Sequence, residues 1–590
     1  MSAAPGVRSV AQAVAAHPQS VSEIAEAALA ARDAYDRIQP QIWIERVSPE
    51  AVRTAARTIA ARLEAGEKLP LAGVPFAVKD NLDIAGMATT AACPAFAYTP
   101  ARNAAAVQKL LDAGALLIGK TNLDQFATGL VGARSPYGAC GCAYDREYIS
   151  GGSSSGSAIA VAAGVVPFAL GTDTAGSGRV PAAFNHLVGL KPTKGRWSTA
   201  GLVPACRSLD CVSVFTRNAG DAALIDAVLT GFDAADPFSR LAPPPARFPQ
   251  TPRIGVPRPD QLDFSGDTQS GALYAAACAR AEKLGAVQTI DIAPLLACAQ
   301  LLYQGPWVAE RTAALAPLLA RNPGAIHPVV RAIVEAGAGV SAVAAFEGLY
   351  ALKGYERAAA ALWAQIDVLL LPTAPTIYRI ADVEAEPFAL NANLGRYTNF
   401  VNLLDMAAIA LPAGARANGT GFGITFIAPA WADDSLLALA ERYEELEPMN
   451  EPPPLDLKER NACVELAVVG AHLHGMPLHW QLASRNARLV RRCKTAPSYK
   501  LYAMLQTTPP KPALVHVGEN GAPIEVEVYE LSLEAFGSFV AEVPAPLAIG
   551  TVTLEDGADV KGFVAEPRAL NGAEEITRFG GWRAFMAQRA

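Results

Sequence analysis

Serine hydroxyls are concentrated in two glycine-rich segments, residues 151–157 and 171–178, on either side of an apolar run. The run, residues 158–163, is too hydrophobic for an exposed linker and predicts a buried helix or strand. Glycines in such a place let one backbone approach another backbone or a ligand closely. We therefore expect buried hydroxyls and unhindered N–H groups here, which suit a serine nucleophile with an oxyanion site.

A serine nucleophile needs a base, and the usual histidine is poorly placed in this chain. Neither Ser153 nor Ser177 stands at the centre of the order Gly-x-Ser-x-Gly. Three histidines stand in the first three quarters of the chain, none in a recognisable motif: His17, His186 and His327. A lysine is the better candidate. Lys79 ends an apolar strand predicted over residues 76–78, and Asp80 and Asn81 follow it as possible hydrogen-bond partners.

The same segments carry a family resemblance. Lys79 and the strings at residues 119–127, 151–157, 171–182 and 187–193 resemble, in this order, the amidase signature family. The match covers roughly residues 70–215. It implies a triad in which Ser177 is the nucleophile, Ser153 the relay after a cis peptide bond, and Lys79 the base. The 24 residues from Ser153 to Ser177 agree with the family spacing.

The resemblance also implies how the site works. A buried, neutral Lys79 takes a proton from Ser153, which takes one from Ser177 as it attacks an amide carbonyl. Ammonia leaves, and water hydrolyses the acyl-enzyme without any cofactor or metal. The N–H groups expected to hold the oxyanion are those of Thr174, Ala175, Gly176 and Ser177. Asp173 and Arg179 are expected to brace this loop.

Two departures from the common family pattern indicate a branch. Ala175 stands where a glycine is usual, and Gly178 where a branched apolar residue is usual. Both resemble the allophanate hydrolase branch. That resemblance implies that Tyr303 and Arg311 bind the substrate carboxylate, for which a planar guanidinium is well suited. The two residues are eight apart on one predicted helix, so both could face a single pocket.

A second resemblance lies near the C-terminus. Residues 469–478 are similar to the C-terminal domain of allophanate hydrolases, which has a γ-glutamyl-cyclotransferase-like fold and is implicated in decarboxylation of the first product. Of the three histidines within and directly after this stretch, we favour His472 for this step over His474 and His479. No ligand spacing supports a metal site.

The rest of the chain must position these groups. Short apolar strands alternate with helices, which predicts an α/β fold with a mixed, largely parallel central sheet covered by helices. Four prolines among acidic residues mark a linker. We therefore predict a catalytic domain over residues 1–445, a linker over 446–459, and a smaller α+β domain over 460–590.

Composition limits the other function classes. The chain has 590 residues, 51% hydrophobic and 18% charged, with a formal net charge of -7, which argues against nucleic-acid binding. Nine cysteines include no C-x-x-C pair, and there is neither a leader-like start nor a run of about 20 apolar residues. We expect a cytoplasmic enzyme. The resemblance adds a homodimer and a possible functional link to urea carboxylase.

The expected activity is hydrolysis of allophanate to ammonia and N-carboxycarbamate, followed by decarboxylation. The nearest alternative is another enzyme of the same family, either a general amidase or a glutaminase component of an amidotransferase. A catalytically inactive scaffold protein is a further alternative, against which the intact Lys79, Ser153 and Ser177 argue.

Overall fold

The computed structural model of the chain describes residues 9–10, 20–244, 246–446, 453–457, 463–485 and 487–589. The chain divides into two compact units, Met1–Lys458 and Glu459–Ala590.

An 11-stranded sheet forms the centre of the first unit, in the order β1-β3-β2-β4-β6-β5-β10-β11-β9-β7-β8. Its strands are β1 Trp43–Arg46, β2 Pro75–Lys79, β3 Leu116–Thr121, β4 Phe168–Asp173, β5 Val188–Lys191, β6 Cys211–Thr216, β7 Arg253–Pro257, β8 Ala286–Ile290, β9 Val368–Pro372, β10 Met406–Ala415 and β11 Gly421–Pro429.

The sheet is mixed, as predicted, but it is not largely parallel. Among the described strands, four neighbouring pairs are parallel: β2–β3, β2–β4, β7–β8 and β7–β9. The other neighbours are antiparallel. The prediction of a largely parallel sheet is wrong because alternation of strands and helices does not fix strand direction. A short turn joins β10 to β11, for example, and such a turn makes the pair antiparallel.

Helices cover the sheet, and the first unit contains α1 Val21–Asp36, α2 Pro49–Glu64, α3 Ala105–Asp112, α4 Ser155–Ala162, α5 Val180–Phe184, α6 Ala219–Leu229, α7 Thr268–Ala281, α8 Ala293–Gln304, α9 Trp307–Arg321, α10 Pro328–Gly337, α11 Ala342–Trp363, α12 Ile380–Ala385, α13 Ala389–Leu394, α14 Asn399–Leu403 and α15 Asp433–Glu445. All eight residues of α4 are buried, which places the two serine segments inside the unit.

The central strands are buried on both faces. In β2, Phe76 and Val78 belong to one hydrophobic cluster, whereas Ala77 between them belongs to another. This alternation follows from the two-residue repeat of a strand. Phe76 also stacks on Phe168 of the neighbouring β4, with ring centroids 5.5 Å apart. The packing fixes β2 and β4 side by side, and both strands end at the candidate site.

The second unit contains two smaller sheets. A five-stranded sheet has the order β13-β16-β12-β18-β17, and a three-stranded sheet has the order β15-β14-β19. Its elements are β12 Cys463–Val468, α16 Trp480–Ala483, β13 Arg488–Lys494, β14 Tyr499–Met504, β15 Lys511–His516, β16 Glu525–Ser532, α17 Leu533–Ala541, β17 Leu547–Thr553, β18 Asp559–Ala565, β19 Glu574–Glu575 and α18 Trp582–Arg589.

Most of the predicted linker, residues 446–459, lies outside the described residues; its described part, 446 and 453–457, belongs to the first unit. Asp456 donates its N–H to the Ala143 carbonyl at 3.0 Å, and its carboxylate accepts a hydrogen bond from Arg146 at 3.0 Å. Leu455 packs against the hydrophobic core. This short stretch is therefore held on the surface of the catalytic unit.

Within the described residues, no single helix is long and apolar enough to cross a membrane. Two consecutive helices, Pro328–Gly337 and Ala342–Trp363, are together long and apolar enough, but they are bent by 95° relative to each other, and the match rests on length and composition only.

Candidate active site

Lys79 lies at the carboxyl end of β2, beside the end of β4. The two strands are parallel, and Val78 pairs with Leu170, so the residues after Leu170 run alongside Lys79. The ammonium group is fully buried and makes three hydrogen bonds, all to hydroxyls: Ser153 Oγ at 2.7 Å, Ser154 Oγ at 2.9 Å and Thr172 Oγ1 at 2.8 Å. Distant parts of the chain thus deliver a lysine to the serines.

The hydroxyl of Ser153 connects this lysine to the predicted nucleophile. Ser153 Oγ donates to Ser177 Oγ at 3.0 Å, so Lys79, Ser153 and Ser177 form a continuous chain of hydrogen bonds. Ser177 itself is 2% exposed. The arrangement provides a route along which a proton can pass from Ser177 to Lys79.

Burial gives Lys79 the acid–base property that this route requires. Desolvation lowers the pKa of Lys79 to about 7, although the charges of Asp124, Asp210 and Asp173 act in the opposite direction. No carboxylate forms an ion pair with Lys79 among the described residues. Near neutral pH, a substantial fraction of Lys79 is therefore neutral and able to accept a proton.

The position of Ser153 depends on a close packing of backbones. The Gly152–Ser153 peptide bond is cis, as the family resemblance implies. A Cβ atom on Gly152 would lie 2.1 Å from Asp124 Oδ2, so only glycine fits at this position. The Asp124 carboxylate accepts hydrogen bonds from the N–H groups of Val131, Gly132 and Arg134. Asp124 thus organises the chain around the relay serine.

The loop that carries Ser177 is braced by a buried ion pair. Both carboxylate oxygens of Asp173 accept from the Arg179 guanidinium, at 2.9 and 3.0 Å, and both groups are fully buried. Burial raises the pKa of Asp173, but the Arg179 charge and hydrogen bonds outweigh it and hold that pKa below its usual range. The contacts agree with the bracing role expected for Asp173 and Arg179.

The same contacts correct one predicted oxyanion donor. The Gly176 N–H donates to Asp173 Oδ1 at 2.9 Å, so it is already engaged. The prediction for Gly176 is wrong in this geometry, because the carboxylate occupies its donor. The N–H groups of Thr174, Ala175 and Ser177 donate to no described residue and remain candidates.

The structure gives a reason for the unusual glycine at position 178. A Cβ on Gly178 would lie 2.6 Å from both the Cβ and the Oγ of Ser213 on β6. A branched apolar side chain does not fit in this space. Gly178 therefore reflects close approach of the nucleophile loop to β6.

Tyr303 and Arg311 face each other, but not from one helix. Tyr303 belongs to α8 and Arg311 to α9, and Gly305 and Pro306 separate the two helices. The prediction of a single helix is therefore wrong. The Arg311 guanidinium lies over the Tyr303 ring, 5.4 Å from its centroid.

Arg311 is buried with unused hydrogen-bonding capacity. It is 2% exposed and donates from Nη1 to Thr128 Oγ1 at 3.0 Å. Its Nε has no hydrogen-bond partner among the described residues, and it forms no ion pair with a described carboxylate. A buried cation with free donors is suited to an anionic ligand such as a carboxylate.

The predicted histidines of the second unit lie together but differ in surroundings. His472 Nε2 is 2.7 Å from Gln481 Oε1, and its ring packs between Phe539 and Phe563. Burial lowers the pKa of His472. The rings of His474 and His479 are 5.0 Å apart.

A buried carboxylate beside these histidines was not singled out from the sequence. Glu527 accepts hydrogen bonds from the His474 N–H, Arg492, Tyr529 and Arg583, at 2.6 to 3.0 Å. Burial opposes ionisation, but the donors outweigh it and the pKa of Glu527 lies below its usual value. Glu527 stands in no sequence motif, and neither does Asp210 of the first unit. No sequence signal would therefore have singled out either carboxylate.

Two protein-family models match the chain. The amidase family model matches residues 26–437, and the model of the allophanate hydrolase C-terminal domain matches residues 464–587. The chain is 44% identical over 571 residues to the urea amidolyase of Saccharomyces cerevisiae, covering 92% of this chain but only 31% of that protein. It is also 45% identical over 551 residues to the urea amidolyase of Lachancea kluyveri, covering 88% of this chain and 30% of that protein.

A solved structure covers both units. The Kluyveromyces lactis allophanate hydrolase is 41% identical, with a TM-score of 0.71, over 99% of each chain. The chain belongs to the amidase family, and a domain of the allophanate hydrolase C-terminal type follows its amidase domain.

Proposed function

We propose that the protein hydrolyses allophanate to ammonia and N-carboxycarbamate. The observation that carries this proposal is the buried hydrogen-bond chain from Lys79 through Ser153 to Ser177, with the free donors of Arg311 available for a carboxylate. The likeness to an allophanate hydrolase over the whole chain supports the same substrate.

The mechanism follows from the contacts. Neutral Lys79 accepts the Ser153 proton as Ser153 accepts that of Ser177, and Ser177 Oγ bonds to the terminal amide carbon. Free N–H groups of the Thr174–Ser177 loop stabilise the negative oxygen. The proton then returns to the leaving nitrogen, ammonia departs, and water repeats the sequence on the ester to release the dicarboxylate.

Substrate preference tests this function against its family rivals. Ammonia release by the full-length protein should be fastest with allophanate, and slow with glutamine and with a simple aliphatic amide. A higher kcat/KM for glutamine would reject allophanate in favour of a glutaminase.

Replacing Arg311 by alanine should weaken recognition of the carboxylate. Loss of a charge-assisted hydrogen bond costs about 1.5–3 kcal/mol, which corresponds to roughly a 10- to 100-fold higher KM for allophanate. Biuret, in which an uncharged amide replaces the carboxylate, is the matched substrate and should show little change. Arg311→Lys should recover only part of the affinity, because lysine lacks the planar fork. Equal effects on allophanate and biuret would remove Arg311 from the carboxylate role.

The second unit is proposed to assist decarboxylation of the dicarboxylate, with His472 as the candidate residue. The match of residues 464–587 to the allophanate hydrolase C-terminal domain supports this step. His472→Asn should leave release of the first ammonia unchanged while the carboxylated product persists, as followed by ¹³C NMR. His474→Asn is the matched control. Unchanged product decay in His472→Asn would reject His472.

We also propose a cytoplasmic homodimer with a functional link to a urea carboxylase. The chain spans about a third of the length of the urea amidolyase that it resembles. In that relative the matching part is joined to further sequence in one polypeptide, which supports such a link. Light scattering of the purified protein tests the dimer.

A further inference from the structure

Residues 205–210, the segment just before β6, contact both the nucleophile loop and the helix that carries Arg311. Asp210 closes this segment, and none of the steps above uses it. We propose that Asp210 is a positioning residue that fixes the oxyanion-binding loop through the hydroxyl of Thr174. The inference rests on the proposed function and adds to it a residue that determines the geometry of the oxyanion site.

Asp210 is a buried carboxylate whose hydrogen-bond donors among the described residues are uncharged. It is 6% exposed and forms no ion pair with a described residue. Its Oδ1 accepts hydrogen bonds from Thr174 Oγ1 and, at 3.3 Å, from the Cys206 N–H, while its Oδ2 accepts from the Ala205 N–H at 2.9 Å. Burial raises the pKa of Asp210 to about 6. Such a group is costly to bury, and these neighbours give it a defined orientation.

Thr174 connects the orientation of the Asp210 carboxylate to the position of the loop that carries Ser177. It directly follows β4, and its own N–H is one of the three donors left free for an oxyanion. The only hydrogen bond of its side chain to a described residue is the one to Asp210. Because a threonine side chain is stiff about χ1, holding its hydroxyl also restrains the backbone that carries the N–H.

The same segment also holds the N-terminal turn of α9. Ser208 donates from its N–H and its hydroxyl to the Glu310 carboxylate, at 2.8 and 2.7 Å. Cys206 Sγ lies 3.5 Å from the Trp307 carbonyl oxygen. Glu310 precedes Arg311, so residues 205–210 tie the candidate carboxylate site to the oxyanion loop. A substrate held by Arg311 would then meet N–H groups at a set distance.

A matched pair of variants isolates the hydroxyl. Thr174→Val removes the bond to Asp210 but keeps the backbone N–H and the shape of the side chain, whereas Thr174→Ser keeps the hydroxyl. Misplacing an oxyanion donor by about 1 Å costs on the order of 100-fold in rate. We expect Thr174→Val to lower kcat for allophanate by roughly 10- to 100-fold with KM nearly unchanged, and Thr174→Ser to remain within a few-fold of wild type.

A double-mutant cycle tests whether Asp210 acts through this bond. Asp210→Ala should lower kcat, and Asp210→Ala combined with Thr174→Val should be little worse than either change alone. Thr174→Ala replaces the valine variant if the latter does not fold, as judged by thermal unfolding and circular dichroism.

The outcomes are distinct. Wild-type kcat in folded Thr174→Val, failure of Thr174→Ser to restore kcat, or fully additive losses in the cycle would each overturn the role of Asp210. A wild-type protein that releases no ammonia from allophanate would instead reject the proposed function. A loss confined to thermal stability would show that the Asp210–Thr174 bond is structural only, and this too would overturn the inference.

Discussion

Ser177→Ala is expected to abolish ammonia release from allophanate and leave the fold intact. Removing the nucleophile of a hydrolase costs roughly 10⁴- to 10⁶-fold in kcat, because the groups of such a site act as a unit. The Ser177 hydroxyl contacts the Ser153 hydroxyl and makes no other hydrogen bond to a described residue, so the melting temperature should change little. A coupled ammonia assay and a thermal melt make the measurement.

Ser157→Ala is the matched control for this prediction. Ser157 is equally buried and close in sequence to Ser153, but its hydroxyl contacts Thr121 Oγ1 and donates to the Leu170 carbonyl, and the hydrogen bonds of Lys79 go to Ser153, Ser154 and Thr172 instead. It should retain activity within a few-fold. Turnover by Ser177→Ala comparable to that of Ser157→Ala would reject the proposed mechanism.

Lys79→Met should be nearly as damaging, with a loss on the order of 10⁴-fold in kcat. In the wild type, kcat/KM should rise with pH and level off above about 7, because the pKa of Lys79 is about 7 and the neutral amine is the active form. Below that pH, each unit should cost about tenfold. The pH profile of kcat/KM from pH 5.5 to 9 checks both the direction and the midpoint.

Lys79→Arg separates charge from basicity. A guanidinium keeps the positive charge but does not deprotonate in proteins, so this variant should be inactive at every pH in the range. Activity in Lys79→Arg, or a wild-type profile that falls as pH rises through 7, would contradict a neutral lysine base.

The sequence alone was sufficient for part of this fold. The apolar runs ending at Lys79 and surrounding Leu370 are strands, as predicted, because a strand buried on both faces has a nearly unbroken hydrophobic sequence. Strand direction was not predictable in the same way. Hydrophobicity determines burial, whereas direction depends on how the strands are connected and on which strands become neighbours in the sheet.

The candidate site, too, could be predicted from the sequence only in part. The contacts among Lys79, Ser153 and Ser177 were expected from a family resemblance, and no local pattern would have joined residues so far apart. The break between Tyr303 and Arg311 had a readable signal, since Gly305 and Pro306 are adjacent and commonly end helices. The inference that both residues lie on one helix was therefore wrong, although their side chains do lie against each other.

The anchored stretch at residues 453–457 has a practical consequence for dividing the protein. A fragment stopped near residue 445 would lose the hydrogen bonds of Asp456 to Ala143 and Arg146 and would uncover the apolar surface beneath Leu455. We expect a catalytic fragment ending at Lys458 to be more resistant to proteolysis and less prone to aggregation than the shorter one. The residues that resemble a flexible linker in the sequence would therefore stabilise the catalytic unit that precedes them.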